Sequence, residues 1–205
     1  MNWDAALFYA INGLAGRFEW LDAAMRFFAH PSPGSLGIVV AVVLWAWWSW
    51  WEAIFAVPAV ASAVGIADAI GAQLKHLVER LRPCVTLPDV HLLGDCGRLF
   101  GFPSNHAINT AAMAAFLHAL YPRTGWISWP IVVLVGLARV YTGVQYPGEV
   151  IGGWLVGGIM GAGAAFLLLR WHRFRPVASA QTAPPDASHP HSNEAKDETL
   201  TGPVR

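Results

Sequence analysis

Residues 150–169, VIGGWLVGGIMGAGAAFLLL, form an uncharged apolar stretch that is long enough to cross a bilayer. A transmembrane helix needs roughly 20 consecutive, mostly apolar residues. Gly153, Gly157 and Gly161 recur every fourth position in this stretch, and small residues at that spacing let two helices approach closely. We expect this glycine face to pack against another helix of the same chain, with dimerisation as the alternative.

Four further apolar stretches, each with at most two charged residues, lie earlier in the chain: residues 35–51, 53–74, 104–122 and 126–150. Residues 4–29 are apolar too, but they are interrupted by charges at Arg17, Glu19, Asp22 and Arg26. We expect that segment to form either a sixth span or two short interfacial helices. The sequence therefore predicts an all-α integral membrane bundle of five to six transmembrane helices.

The overall composition agrees with a membrane protein. The chain is 55% hydrophobic and 13% charged, whereas a typical soluble domain is about 25% charged. It contains eleven tryptophans, which favour membrane interfaces, and its formal net charge is zero. Because there is no basic field, we expect the bilayer as the environment and no nucleic acid as a partner.

The C-terminal segment, residues 171–205, changes to a composition rich in proline, alanine, serine and charge. Such a segment cannot bury enough apolar surface to order itself. We therefore predict a membrane domain over residues 1–170, followed by a disordered tail. Basic residues begin at Arg170, and the positive-inside rule places that end in the cytoplasm. The loop at 84–103 and the turn at 145–149 then share the outer side.

The first of three polar clusters is Lys75-His-Leu-Val-Glu-Arg-Leu-Arg82-Pro83. Lys75 and Arg82 are seven residues apart, so we expect both to project from one face of a helix that Pro83 ends. A lysine supplies a point charge and an arginine a fork of donors, and the two together suit a phosphate group. The alternative is that both are cations flanking a span, with their heads extended to the interface.

The second cluster, Phe102-Pro-Ser-Asn-His106, opens the next apolar stretch. The unpaired N–H groups at a helix N-terminus attract anions, and Ser104 is a suitable N-cap that can also donate its hydroxyl. His106 can give a proton to a leaving oxygen near neutral pH. The alternative is a capped helix with an interfacial histidine.

The third cluster runs from Ala138 to Glu149 and contains Arg139 and Gln145. A cation within a span is costly and usually functional. We expect Arg139 either to bind phosphate oxygens bidentately or to pair with Glu149.

Together the three clusters resemble the signature of the type-2 phosphatidic acid phosphatase and haloperoxidase superfamily, in particular its bacterial branch acting on undecaprenyl pyrophosphate. The family pattern is K-x6-RP, then PSGH, then SR-x5-H-x3-D. This chain has K-x6-RP intact from Lys75, PSNH at 103–106 and AR-x5-Q-x3-E at 138–149. The resemblance implies a bundle of about six helices with a phosphate site at one membrane surface.

The resemblance also implies the roles of individual residues. Phosphate binding falls to four intact positions and to Asn105, which replaces a glycine; the four are Lys75, Arg82, Ser104 and Arg139. The proton donor is His106. The positions of the nucleophilic histidine and its orienting aspartate hold Gln145 and Glu149, and an amide lacks the basic ring nitrogen that forms a phosphohistidine.

Three functions therefore compete. The family function is hydrolysis of a lipid phosphate, such as undecaprenyl pyrophosphate or phosphatidic acid, at the periplasmic face of a bacterial inner membrane. The second is a catalytically impaired pseudoenzyme that binds or presents a phospholipid, and the third is a structural subunit with a relic site. No metal-ligand pattern occurs, and the resemblance implies no cofactor.

Asp68 and the two cysteines complete the candidate residues. Asp68 lies seven residues before Lys75, and we expect it either to reach that lysine or to contact a neighbouring helix. Cys84 and Cys96 bracket one short loop on the side assigned as outer, so we predict a disulfide between them. The alternative is a metal site with His91 as the third ligand.

Overall fold

The computed structural model describes residues 2–30, 43, 45, 47 and 49–171, and this part of the chain is helical, as predicted. In chain order the helices are α1 (Trp3–Asn12), α2 (Glu19–Ala29), α3 (Trp50–Val78), α4 (Pro83–Thr86), α5 (Asn105–Leu120), the 3-10 turn Pro122–Thr124, α6 (Gly125–Tyr141) and α7 (Pro147–Arg170). The only β-type pairing among these residues is an isolated bridge between Leu81 and Phe100.

Three of the described helical segments are long and apolar enough to cross a membrane: Trp50–Val78, Pro122–Tyr141 and Pro147–Arg170. The predicted stretches 53–74 and 150–169 lie within the first and third. The predicted stretch 126–150 is longer than the helix it contains, because the chain turns between Tyr141 and Pro147. Most of the predicted stretch 35–51 lies outside the described residues, as does the tail after residue 171.

The remaining predicted span, residues 104–122, forms the 16-residue helix α5. Its buried residues fall on several sides of the helix. It packs most extensively against α7 and also contacts α3 and α6. Helix α5 is therefore the central helix of the described bundle.

The N-terminal segment forms two short helices, α1 and α2, rather than one span. Gly16, with a positive φ of 79°, makes the turn between them, a conformation that favours glycine. The Asp22 carboxylate accepts from the Gly16 amide and from the Tyr141 hydroxyl, the latter at 2.7 Å. These bonds lower the pKa of Asp22 and attach α2 to α6. Asp22, one of the charges that interrupt the apolar segment, thus makes a tertiary contact.

The glycine face of α7 packs against α5 within the chain, as expected. A Cβ placed at Gly157 would overlap the carbonyl oxygen of Ile108, and one at Gly161 would overlap that of Ala112. A Cβ at Gly153 would lie 2.7 Å from the Ser104 carbonyl oxygen. Backbone approach of this kind requires glycine. It also sets the height of the α5 N-terminus beside the α7 N-terminus.

The four longest of the described helices, α3, α5, α6 and α7, alternate in direction. The C-terminal ends of α3 and α6 and the N-terminal ends of α5 and α7 carry the polar clusters, and we call this the site end of the bundle. The far end holds Glu52 and Tyr121, which are hydrogen-bonded, and the Phe55–Trp171 ring contact, with centroids 4.9 Å apart. The alternation brings motifs distant in sequence to one surface.

Candidate active site

The first motif enters the site end differently from the prediction. Helix α3 ends at Val78, because Glu79 adopts a left-handed conformation with φ of 48°. Lys75 is therefore on the helix, but Arg82 lies in an extended segment, so the expected shared helical face is wrong. Arg82 donates its amide to the Leu99 carbonyl at 3.2 Å, and its position before a proline disfavours helix.

Lys75 is held by the second motif. Its ammonium donates to the Pro103 carbonyl oxygen at 2.6 Å and to the side-chain oxygen of Asn105. The Asn105 amide nitrogen in turn donates to Asp68 Oδ1 at 2.9 Å. Asn105 therefore relays between the carboxylate and the ammonium, which is a role that glycine, the family residue at this position, cannot perform.

Asp68 contacts the neighbouring helix rather than Lys75 directly. Besides Asn105, its second oxygen accepts from Asn109 Nδ2 at 3.5 Å. This resolves the two expectations for Asp68 in favour of the contact with α5. The half-buried carboxylate keeps the Asn105 oxygen turned toward the lysine.

Replacing Asp68 with leucine should lower the free energy of unfolding by about 1–3 kcal/mol, because the Asn105 and Asn109 amides lose a charged acceptor in a partly buried position. Thermal unfolding followed by tryptophan fluorescence in detergent measures this. The matched control, Asn109→Ala, removes only the longer bond and should cost less. An Asp68→Leu variant that unfolds like wild type and binds lipid phosphate equally well would leave Asp68 without a role.

His106 and Arg139 are partly buried neighbours of Arg82 at the site end. The positive charges of Arg139 and Arg82 both act on the His106 imidazole, and Arg82 acts on Arg139. Arg82 acts in the same way on Lys75, whereas the Asp68 and Glu149 carboxylates act on it in the opposite sense. Cations gathered in a partly buried position repel one another, so an anion bound among them is strongly stabilised.

Several buried polar atoms at the site end lack a hydrogen-bond partner within the described part of the chain. They are His106 Nε2, Arg139 Nε, Gln145 Oε1 and Glu149 Oε1. Buried polar groups are normally paired, so a set of unpaired atoms in one place indicates a site for a polar ligand or water. Two of the four are nitrogens that can donate to a phosphate oxygen.

Arg82 and Ser104 also lie at the site end, near these unpaired atoms. The Arg82 Nε donates to the Phe100 carbonyl at 3.4 Å. Burial lowers the pKa of the Arg82 guanidinium while the Glu149 and Asp95 carboxylates raise it, but arginine stays protonated in proteins. Ser104 occupies the N-cap of α5, as predicted, yet its hydroxyl makes no capping hydrogen bond, so it can serve a ligand.

Glu149 is fully buried and is engaged with its own helix terminus. Its Oε2 accepts from the Tyr146 amide at 3.0 Å, while its Oε1 lies 3.8 Å from Arg80 Nε. A Cβ at Gly101 would overlap this carboxylate, so only glycine allows the loop to pass here. Glu149 therefore caps α7, and the expected pair with Arg139 is not among its contacts.

Two residues that the sequence analysis missed support this corner of the site. Asp4, which is buried in α1, forms an ion pair with Arg80 and accepts from the Gly148 amide at 2.8 Å. The Arg80 guanidinium lies 4.3 Å from the centroid of the Tyr146 ring. An aspartate within an apolar N-terminal stretch was the available signal, because such a charge normally has a partner.

Cys84 and Cys96 are joined by a disulfide, with their Cα atoms 6.1 Å apart. The bridged loop passes close to Arg82: a Cβ at Gly97, whose φ is 68°, would lie 3.7 Å from Arg82 Nη1. Among the described residues no group of three metal-ligating side chains occurs, so the alternative of a metal site with His91 has no support.

Removing the bridge with Cys84→Ser and Cys96→Ser together should lower the free energy of unfolding by about 3 kcal/mol in the chain-entropy model. The binding of lipid phosphate should weaken as well, because the loop positions Arg82. Chemical unfolding and a binding isotherm measure the two effects. Thiol labelling of the unreduced, denatured wild type is the control, and two reactive thiols there would contradict the bridge.

The chain is similar in sequence to a known protein family. The PAP2 superfamily model matches residues 56–176, more than half of the chain. The bacitracin transport permease protein BcrC of Bacillus licheniformis is 29% identical over 157 residues, 77% of this chain and 75% of that protein. An undecaprenyl-diphosphatase of Sulfolobus acidocaldarius is 37% identical over 93 residues, 45% of each protein.

A similar fold is seen in a solved structure. The crystal structure of a transmembrane PAP2-type phosphatidylglycerolphosphate phosphatase from Bacillus subtilis matches with a TM-score of 0.63 and 26% sequence identity. The match covers 85% of this chain and 90% of the other. All three motifs of the present chain fall within the matched family region.

Proposed function

Because the chain belongs to the PAP2 superfamily, we propose that it hydrolyses a lipid phosphate or lipid diphosphate at the site end of its membrane bundle. The observation that carries this proposal is the pair of guanidinium groups, Arg82 and Arg139, whose charges act on His106, together with the unpaired Arg139 Nε and His106 Nε2. A phosphate group supplies the charge and the acceptor oxygens that these atoms lack.

The substrate class follows from the relatives and from the place of the site. The relatives are named for activity on undecaprenyl diphosphate and phosphatidylglycerolphosphate, and both are anionic head groups on membrane lipids. The chain is a multi-pass membrane protein, and its cations lie at helix ends, where a head group would sit. Undecaprenyl pyrophosphate and phosphatidic acid are therefore the substrates to test first.

The proposed chemistry divides among the motif residues. Lys75, Arg82 and Arg139 hold the phosphate oxygens and stabilise the charge that develops on them in the transition state. His106 donates a proton to the leaving oxygen. Water is the attacking group, because the amide of Gln145 cannot form a bond to phosphorus as a histidine does.

We also propose that the site end faces the periplasm and that the tail is cytoplasmic. Arg170 lies at the far end of α7, opposite the site end, and begins the basic segment of the sequence. The positive-inside rule assigns that end to the cytoplasm. The disulfide at the site end fits an oxidising compartment.

A second candidate function is a non-hydrolytic binder that holds or presents a phospholipid. The observation that favours it is Gln145, which is 1% exposed and occupies the position of the family nucleophile. The binding residues do not depend on that position. A protein that retained them and lost turnover would still recognise the same head groups.

Release of inorganic phosphate by the purified protein in detergent separates the two functions. We expect release from undecaprenyl pyrophosphate or phosphatidic acid at a low rate, and its loss in His106→Gln. Binding of either lipid without release by wild type would support the binder. A protein that neither binds nor hydrolyses these lipids, or related lipid phosphates, would contradict both proposals.

A further inference from the structure

Helix α2 delivers a histidine to the site that none of the three motifs includes. The helix ends at Ala29, whose carbonyl oxygen accepts a hydrogen bond from Arg139 Nη1 at 3.1 Å. His30 is the next residue, in an extended conformation, and is exposed. His30 is therefore the neighbour in sequence of a residue that contacts Arg139 directly.

The position of this histidine is fixed by contacts along α2. The Asp22 carboxylate, two turns earlier, accepts from the Tyr141 hydroxyl at 2.7 Å, and Tyr141 lies two residues after Arg139. The His30 amide donates to the Arg26 carbonyl at 3.0 Å, so it continues the helical hydrogen bonding. Helix α2 is thus attached to α6 at both of its ends.

The His30 ring also lies within electrostatic range of the proposed proton donor. His30, like Arg139 and Arg82, lies close enough to the His106 imidazole to interact with it electrostatically. Two histidines from different helices therefore border one cationic cluster. They are 76 positions apart in the sequence, which explains why no motif connects them.

We propose that His30 is the general base of the reaction, and this proposal rests on the proposed hydrolytic function. The neutral imidazole takes a proton from a water molecule as the water oxygen bonds to phosphorus. The bond from phosphorus to the leaving oxygen breaks, and His106 gives its proton to that oxygen. The proton on His30 then returns to solvent, and His106 is reprotonated from solvent.

This assignment gives the acid and the base to different side chains. His106 cannot fill both roles in one step, because a proton donor and a proton acceptor must be in opposite protonation states. Gln145 has no titrating group, and one oxygen of Glu149 accepts from the Tyr146 amide while the other faces Arg80. His30 is the remaining imidazole within electrostatic range of His106.

The test compares His30→Gln and His30→Ala with wild type in phosphate release and in lipid binding. We expect release to fall by about 10²-fold, within the usual range for loss of a general base, with binding affinity unchanged. Added imidazole should restore release in His30→Ala and should have no effect on wild type. His76→Gln, an exposed histidine on α3, is the matched control and should behave like wild type.

The outcomes distinguish this inference from the proposed function. If wild type itself releases no phosphate, the proposed function fails. If wild type is active and both His30 variants keep its rate, the base assignment is wrong. Loss of activity without imidazole rescue, accompanied by weaker lipid binding, would show that His30 only supports Arg139. An acid-labile phosphoenzyme that disappears in His30→Gln would show direct attack by His30, which also overturns the base assignment.

Discussion

Replacing Gln145 with histidine should raise the rate of phosphate release by about 10²-fold, because it restores the imidazole that attacks phosphorus in the family. The new side chain would enter a position that is 1% exposed, next to the N-terminus of α7. Gln145 Oε1 has no partner within the described structure, so its removal breaks no hydrogen bond there. The measurement is the initial rate of release from undecaprenyl pyrophosphate, with trapping of an acid-labile phosphoenzyme.

Glu149, the other substituted position of the third motif, limits this gain in rate. An imidazole at 145 needs an orienting carboxylate, but Glu149 is already bonded to the Tyr146 amide and lies 3.8 Å from Arg80. We therefore expect Gln145→His combined with Glu149→Asp to exceed the single variant only if α7 remains capped. Thermal unfolding checks that condition.

Gln145→Asn is the matched control, since it keeps an amide and should produce no phosphoenzyme. Gln145→His made in the His30→Ala background should still gain activity, because covalent attack begins without a base for water. A folded Gln145→His protein that binds lipid phosphate but is no faster than wild type would show that the missing imidazole is not what limits turnover.

Replacing Arg139 with alanine should reduce kcat/KM by about 10²–10³-fold, the range seen when one donor to a developing oxyanion is removed. Arg139 is the one cation of the third motif, and its positive charge acts on the His106 imidazole. Its Nε is buried without a partner, so that edge of the fork is open to a phosphate oxygen. Arg139→Lys should recover only part of the loss, because an ammonium lacks the planar fork of donors that binds two oxygens of a phosphate side by side.

The control for this prediction is Arg123→Ala, an exposed arginine at the far end of the bundle. It should leave both kcat/KM and lipid binding unchanged. Because Arg139 also donates to the Ala29 carbonyl, the unfolding temperature of Arg139→Ala must be measured alongside the kinetics. A stable Arg139→Ala protein with wild-type kcat/KM would remove this arginine from the site.

The sequence predicted which side chains lie at one end of the bundle better than it predicted the local structure around them. The apolar stretches implied helices in alternating directions, and that alternation alone places Lys75, Ser104 and Arg139 at one end. The same reasoning failed for Arg82, because spacing by seven residues implies a shared face only if the helix continues. Glu79 in a left-handed conformation and the bridge between Leu81 and Phe100 ended it.

The other site residues could not be predicted from the sequence, because they reach the site through contacts between distant segments. Asp4 and His30 reach the site only because α1 and α2 fold back onto the ends of α6 and α7. A short motif records residues that are neighbours along the chain or keep a fixed order, and it carries no information on such packing. The role of Asn105 as a relay to Lys75 likewise depends on the position of α3 beside α5.

The most direct test of the central claim, that the site end binds phosphate, is an experimental structure of the protein with orthovanadate, which resembles a phosphoryl group in the transition state. We predict the oxyanion within hydrogen-bond distance of Arg139 Nε and the Arg82 guanidinium, beside His106 Nε2. Vanadate bound elsewhere, for example at Arg80, with this position left empty at a concentration that inhibits phosphate release, would contradict the account.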